Sequence, residues 1–331
     1  MQDDDYLEKL QQIKKQFLCY VPVKEINLSF LDKLDINSQE QVIENTIRLD
    51  QILKYPINLE YQKAFLKHLL QYFERQGSVI HDTLYEEYGR LVALPCSNIN
   101  FKHYATESGK KDIILKENAN LISDGTTGLR TWQASLALSE WIISNSSYFN
   151  SKVVLELGSG VGLTGLTLST HTEAKTLYLT DCHSSVLTTL CDNVILNSGH
   201  VYKNYNLGEQ CLLEDCINNC LVRVFNLPWE DICEDLCQSL GRIDIVIAAD
   251  VVYDSSIFEP LVNAVDYLFK YCGASEFILS CTERNPDTLT DFLLLLGKNY
   301  RIVDVEVPIQ RHFLWSSIPP VKIFNARLTS T

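Results

Sequence analysis

The chain has 331 residues, 46% hydrophobic and 21% charged, an ordinary balance for a folded protein with room for a large core. A formal net charge of −14 repels phosphate backbones, so direct nucleic-acid binding is disfavoured and basic partners are favoured. No apolar run is long enough to span a bilayer, and the acidic start Met1-Gln2-Asp3-Asp4-Asp5-Tyr6 lacks the basic-then-apolar order of a secretory signal. No membrane role is therefore expected; the eleven cysteines read as reduced thiols of the cytosol or nucleus, and a cytoplasmic location is expected.

Residues 1–120 read as a helical N-terminal region. Leu7, Leu10, Ile13 and Phe17 recur at helical spacing. Asn37-Ser38 is placed to cap a helix carrying Val42, Ile43, Ile47, Ile52 and Leu53, with a stop near Pro56. Phe65, Leu66, Leu69, Leu70 and Phe73 continue the pattern up to Gly77. Two roles stay open for this region: a scaffold over one face of the main sheet, or a module for substrate recognition. Between 101 and 123, short apolar pieces such as Ile113-Ile114-Leu115 predict a strand or hairpin. The turn cluster at 124–129 then leads into a helix with Trp132, Leu136, Leu138 and Trp141, ending near Asn145.

Residues 121–331 form the second expected domain, and from Lys152 onward strands and helices alternate. Strands are predicted at 153–157, 176–180, 221–227, 243–249 and 276–281, with late strands at 301–307 and 321–328. Helices are predicted near 163–170, 184–197 and 258–271, and from Pro286 through Leu296. Such alternation specifies an α/β fold: a doubly wound, mostly parallel seven-stranded sheet with helices on both faces, and an antiparallel hairpin at one edge.

The most informative stretch is Val153 to Gly165. A buried apolar strand gives way abruptly to Gly158, Ser159, Gly160, Val161 and Gly162, and apolar residues resume at helical spacing from Leu163. A glycine loop between strand and helix is a cofactor cradle, with backbone N–H groups expected to stay open toward a ligand. Two fingerprints overlap there. Gly160, Gly162 and Gly165 spell G-x-G-x-x-G, the dinucleotide pattern, while Glu156 two residues before Gly158 makes E-x-G-x-G-x-G. A carboxylate at the loop entrance serves a pyrophosphate badly, since like charges repel, and is well tolerated by a positively charged cofactor.

Ligands in such sheets bind beyond the carboxyl ends of the strands. Asp181 ends the second strand, where it can either take two ribose hydroxyls or cap the next helix. Trp229 lies beyond the third strand, positioned to lie against adenine or simply to fill core. Asp250, closing the apolar run that begins at Ile245, is costly there without a partner or a use. Cys211, Cys216, Cys220, Cys233 and Cys237 do not have metal-ligand spacing; the (i, i+4) pairs fit apolar helix faces, and no metal is expected.

Asp250-Val251-Val252-Tyr253 resembles the D-x-x-Y motif of the protein-lysine branch of the class I, seven-stranded S-adenosylmethionine-dependent methyltransferases. The blocks 125–132 and 155–166, Asp181-Cys182-His183-Ser184 and Arg284-Asn285-Pro286 are similar to the lysine methyltransferases that act on elongation factor 2. The likeness covers roughly residues 120–330, and the cysteine-rich stretch 200–220 departs from it. The resemblance implies S-adenosyl-L-methionine as cofactor, lined by Trp132, Gly158, Ser159, Gly160, Trp229 and Ala249. It also implies a protein substrate, with elongation factor 2 the expected partner; a monomer is expected. Asp250 is expected to capture and orient the lysine, with Tyr253 hydrogen-bonding the amine. A nucleotide-dependent oxidoreductase and a non-catalytic binding module remain the alternatives.

Overall fold

The computed structural model describes residues 2–31, 36–95, 99–104, 112–118, 126–199 and 210–329. The chain divides into two units, one of residues 1–105 with 116–119, the other of 106–115 with 120–331.

The first unit is built from helices α1 (Gln2–Leu18), α2 (Asn37–Glu44), α3 (Asp50–Lys54), α4 (Leu59–Arg75) and α5 (Asp82–Ala93), followed by strand β1 (Ile99–Tyr104). Strand β2 (Ile113–Asn118), in which the division between units falls, pairs with β1. The apolar stripes converge on one core, with Phe17, Phe65, Ile43, Ile47 and Leu84 fully buried. Three features differ from the sequence pattern. The helix expected from Asn37 to near Pro56 is broken at 45–49, where Thr46 returns its hydroxyl to the Val42 carbonyl (2.6 Å) and Leu49 turns extended. Asn37 is already the first helical residue, with Ile36 at the cap position. Helix α5 carries only sparse apolar positions and is missed by periodicity; His81 starts it by accepting the Thr83 N–H.

The second unit runs α6 (Gln133–Ser144), β3 (Val153–Leu157), α7 (Leu163–His171), β4 (Thr176–Asp181), α8 (Ser184–Ser198), β5 (Cys211–Ile217), β6 (Cys220–Asn226) and α9 (Glu234–Leu240). It continues with β7 (Ile245–Ala249), α10 (Phe258–Cys272), β8 (Glu276–Thr282), α11 (Pro286–Leu296), β9 (Tyr300–Val305) and β10 (Val321–Leu328). Sheet order is β5-β6-β4-β3-β7-β8-β10-β9. The five strands from β6 to β8 are parallel, and β10 pairs antiparallel with both β8 and β9. The mostly parallel, doubly wound sheet with its late antiparallel hairpin is thus as the alternation indicates.

One strand more than the expected seven is present. β5 adds antiparallel to β6 at the edge, and Ile217 pairs with Cys220 across a tight turn in which Asn218 takes φ +53°. Asn218 also donates to the carbonyls of Ser169 and Thr170, anchoring that hairpin to the end of α7. The helical reading of Cys216 and Cys220 is therefore wrong: at a spacing of four they stand on opposite arms of a hairpin. Among the described residues no cluster of potential metal ligands occurs, and no helix is long and apolar enough to cross a membrane. Residues 124–125 and 200–209, part of two stretches singled out above, lie outside the described residues.

Because β3 is the strand between β4 and β7, the order reverses beside it, and the crevice opens beyond its carboxyl end. α7 must sit directly against β4 for the loop to reach that crevice. Gly165 makes this possible: a Cβ there would stand 2.1 Å from Leu179 Cδ2 and 2.9 Å from Glu156 Oε2. Gly165→Ala is expected to destabilise this unit by about 1–3 kcal/mol through overpacking. Gly89→Ala, whose added methyl meets nothing within 4 Å, serves as control in thermal denaturation.

Candidate active site

A single pocket at the carboxyl ends of β3, β4 and β7 is lined by all ten residues singled out in the sequence: Trp132, Glu156, Gly158, Ser159, Gly160, Asp181, Trp229, Ala249, Asp250 and Tyr253. The loop after β3 forms its base. Gly158 takes φ +67°, and a Cβ on it would press 2.9 Å from Val251 Cγ1 and 3.6 Å from Trp229, so bare backbone is what lets these walls meet. The loop amides are not open as expected. Ser159 N–H donates to Thr180 O (2.7 Å), Gly162 N–H to Ser159 O (2.9 Å) and Gly160 N–H to Asp181 Oδ2 (3.2 Å). These three amides are spent inside the fold and are not available to a pyrophosphate, which weighs against a dinucleotide.

The carboxylates tell more. Glu156, on β3, is 2% exposed, and its Oε2 has no hydrogen-bond partner. Burial pushes its pKa up to about 8, and nearby Asp181 adds to this, against hydrogen bonds from Ser159, Thr164 and the Gly165 backbone. A buried carboxyl with an orphan oxygen on a pocket floor fits a cationic ligand group. Asp181 is held in place by backbone: Oδ1 accepts from Cys182 (2.8 Å) and His183 (3.2 Å), and Oδ2 from Gly160. These bonds order the turn before α8 rather than cap its first turn, since His183 is the cap residue. Oδ2 keeps acceptor capacity for a hydroxyl. Burial raises the Asp181 pKa, while those three N–H groups pull it down.

On the opposite wall Trp132 caps α6 and donates its indole N–H to Thr127 O (3.0 Å). Two guanidiniums face its ring, Arg284 at 4.8 Å and Arg130 at 5.7 Å from the centroid. Trp229 sits in a short turn after β6, half-buried, against the pocket rather than in closed core. Arg130 was not anticipated. It is the one Lys or Arg among the described residues lining the pocket, and a flanking position in a turn cluster gives no periodic signal.

A family model described as lysine methyltransferase matches residues 110–299. The chain belongs to the lysine methyltransferase family. Human protein-lysine N-methyltransferase EEF2KMT is 31% identical over 297 residues, 87% of each chain. The mouse EEF2KMT is 29% identical over 84% of this chain and 77% of its own. Protein-lysine N-methyltransferase EFM3 of Saccharomyces cerevisiae is 26% identical over 79% of this chain and 80% of its own. A solved neighbour, M. jannaschii TYW2 in complex with AdoMet, is more distant, with a TM-score of 0.39 and 14% identity over 71% of this chain and 88% of that one.

For a lysine methyltransferase with S-adenosylmethionine as cofactor, the donor set fits. The orphan carboxylate of Glu156 suits the cofactor's cationic groups, Asp181 its ribose, and Arg130 its carboxylate. The D-x-x-Y segment stands at the far side of the same mouth. Asp250 holds the left-handed conformation (φ +58°), and its carboxylate is 6% exposed. The partner it requires is found on β8: Thr282 N–H donates to Oδ1 and Thr282 Oγ1 to Oδ2, each at 2.8 Å. Arg284 Nη1 and Nη2 lie 3.4 and 3.1 Å from the same two oxygens. Neither Thr282 nor Arg284 is predicted as a partner, because sequence distance hides contact between neighbouring parallel strands. Tyr253 is 60% exposed at the rim. Partial burial of its hydroxyl, then the charges of Asp181, Cys182 and Asp254, raise its pKa, so it stays a phenol.

The Glu156 carboxyl binds a proton on folding over the interval between its unfolded value near 4.3 and about 8. Stability of the ligand-free enzyme should therefore fall as pH rises through this window and level off above it. Glu156→Gln is expected to flatten that slope and to melt higher than the parent at pH 8, measured by calorimetry without cofactor.

Proposed function

We propose that this enzyme transfers methyl groups from S-adenosylmethionine to a lysine of elongation factor 2, acting as a monomer in the cytoplasm without contacting nucleic acid or membrane. One observation carries the choice of substrate. The family model ends its match at 110–299, whereas the likeness to EEF2KMT extends over 87% of both chains and so into the helical first unit. A shared N-terminal unit supports a shared substrate, and we assign residues 1–120 to recognition of the protein and 121–331 to methyl transfer. The net charge of −14 favours a basic surface around the target lysine.

S-adenosylmethionine supplies an electrophilic methyl group. Glu156 and Asp181 hold its cationic and ribose ends, Trp229 covers the adenine, and Gly158, Ser159, Gly160, Trp132 and Ala249 shape the remaining wall. Asp250 and Tyr253 receive the substrate. A lysine amine has a pKa near 10.4, so presenting it neutral at pH 7 costs about 4–5 kcal/mol. Asp250 favours the ammonium form and so serves capture and aim rather than proton removal. Tyr253, a phenol at the rim, accepts from or donates to the amine nitrogen and offers its ring face to the methylated product.

Incubation with labelled cofactor and elongation factor 2 from cells lacking this activity should label one lysine. Asp250→Asn preserves an acceptor for Thr282 and tolerates the left-handed backbone. It is expected to lower turnover by about 100-fold through lost aim, with S-adenosylhomocysteine affinity retained. Undiminished turnover in Asp250→Asn rules out the assigned role.

A further inference from the structure

The carboxylate expected to receive the substrate's ammonium already holds a cation. Asp250 is fixed from β8 by two short bonds, both 2.8 Å, from the uncharged N–H and hydroxyl of Thr282. Its remaining acceptor capacity faces Arg284, whose contacts are the longer pair at 3.1 and 3.4 Å. The two side chains differ sharply in exposure: 6% for Asp250 and 41% for Arg284. The guanidinium therefore reaches in from the solvent side, and in that same position it also lies over the face of Trp132, 4.8 Å from the ring centroid.

These distances separate two functions in one cluster. The Thr282 bonds position the carboxylate and survive loss of the guanidinium. The Arg284 pair neutralises a nearly buried charge that would otherwise stand unpaired, which costs several kcal/mol as a rule. A lysine ammonium arriving in the same mouth supplies the same charge, as a compact group with three donors.

We propose that Arg284 is an internal stand-in for the substrate lysine: it occupies Asp250 in the free enzyme and yields that place to the incoming ammonium. The inference rests on the lysine-capture reading of Asp250. Displacement leaves the guanidinium over Trp132, where cation–π contact retains part of its stabilisation. Asp250 is thus never bare, and a competitor built into the chain raises the KM for the protein substrate. Arg284 acts through Asp250 and is a positioning residue.

The test is steady-state kinetics of the full-length enzyme on elongation factor 2, comparing the parent with Arg284→Gln and Arg284→Lys. Arg284→Gln removes the competing charge and keeps an amide able to reach the carboxylate. Its KM for the protein should fall by about three- to tenfold, so that kcat/KM rises. Arg284→Lys, a cation that cannot grip both oxygens, should lie between the two. n-Butylammonium, a lysine side chain without backbone, should inhibit Arg284→Gln at lower concentration than the parent, competitively with the protein. Titration with S-adenosylhomocysteine checks that each variant is folded. A KM that is unchanged or raised in Arg284→Gln, with a drop in kcat, overturns the proposal and makes Arg284 a support for the Asp250 turn. A parent enzyme that does not turn over elongation factor 2 overturns the functional reading and this inference together.

Discussion

A carboxyl group with one oxygen left unpartnered, sealed beneath a pocket, is the constraint on which the site depends. Glu156 sits on the central strand of the sheet, 2% exposed, with Oε2 unmatched and its pKa lifted to about 8 by burial. A fold does not retain such a group for its own stability, because a neutral side chain of similar shape would be cheaper to bury. Its use must come from outside, from a ligand that brings positive charge. That requirement favours a cationic methyl donor over a pyrophosphate, and the spent amides of Ser159, Gly160 and Gly162 point the same way.

Around that floor the parallel sheet does the arranging. Each neighbouring strand delivers one polar side chain to the same crevice: Asp181 from β4 and Asp250 just beyond β7. Glycine makes the approach close enough, at Gly165 where α7 meets Leu179 and at Gly158 where Val251 and Trp229 close in. The acidic cluster is not left to repel itself. Asp181 is held by three backbone N–H groups and Asp250 by Thr282 and Arg284, while burial keeps the Glu156 carboxyl protonated until a cationic ligand arrives. Selectivity for positively charged groups follows from this distribution rather than from any single contact.

Much of this was legible in sequence because parallel strands are short apolar runs whose carboxyl ends are predictable. Glu156, Asp181, Trp229 and Asp250 each stand at or just past such an end, and all line one pocket. Register between neighbouring strands was not legible, and so Thr282 and Arg284 stayed unconnected to Asp250 although they lie 32 and 34 residues away. Edge strand β5 was missed for a related reason: Glu214 and Asp215, on opposite faces of the strand, interrupt the apolar pattern on both sides, which blurs the alternation. The break between α2 and α3 turns on one hydroxyl returning to the backbone at Thr46, a local choice that apolar periodicity does not record.

The most direct test is the proton count of cofactor binding. Calorimetric titration of the enzyme with S-adenosylmethionine at pH 7, in two buffers of different ionisation heat, reports protons exchanged per site. The expected result is binding with release of about one proton, as a cationic ligand turns the Glu156 carboxyl into a carboxylate, with no release in Glu156→Gln and no heat from NAD. Binding without proton exchange, or heat from NAD in place of S-adenosylmethionine, would contradict the account at its base.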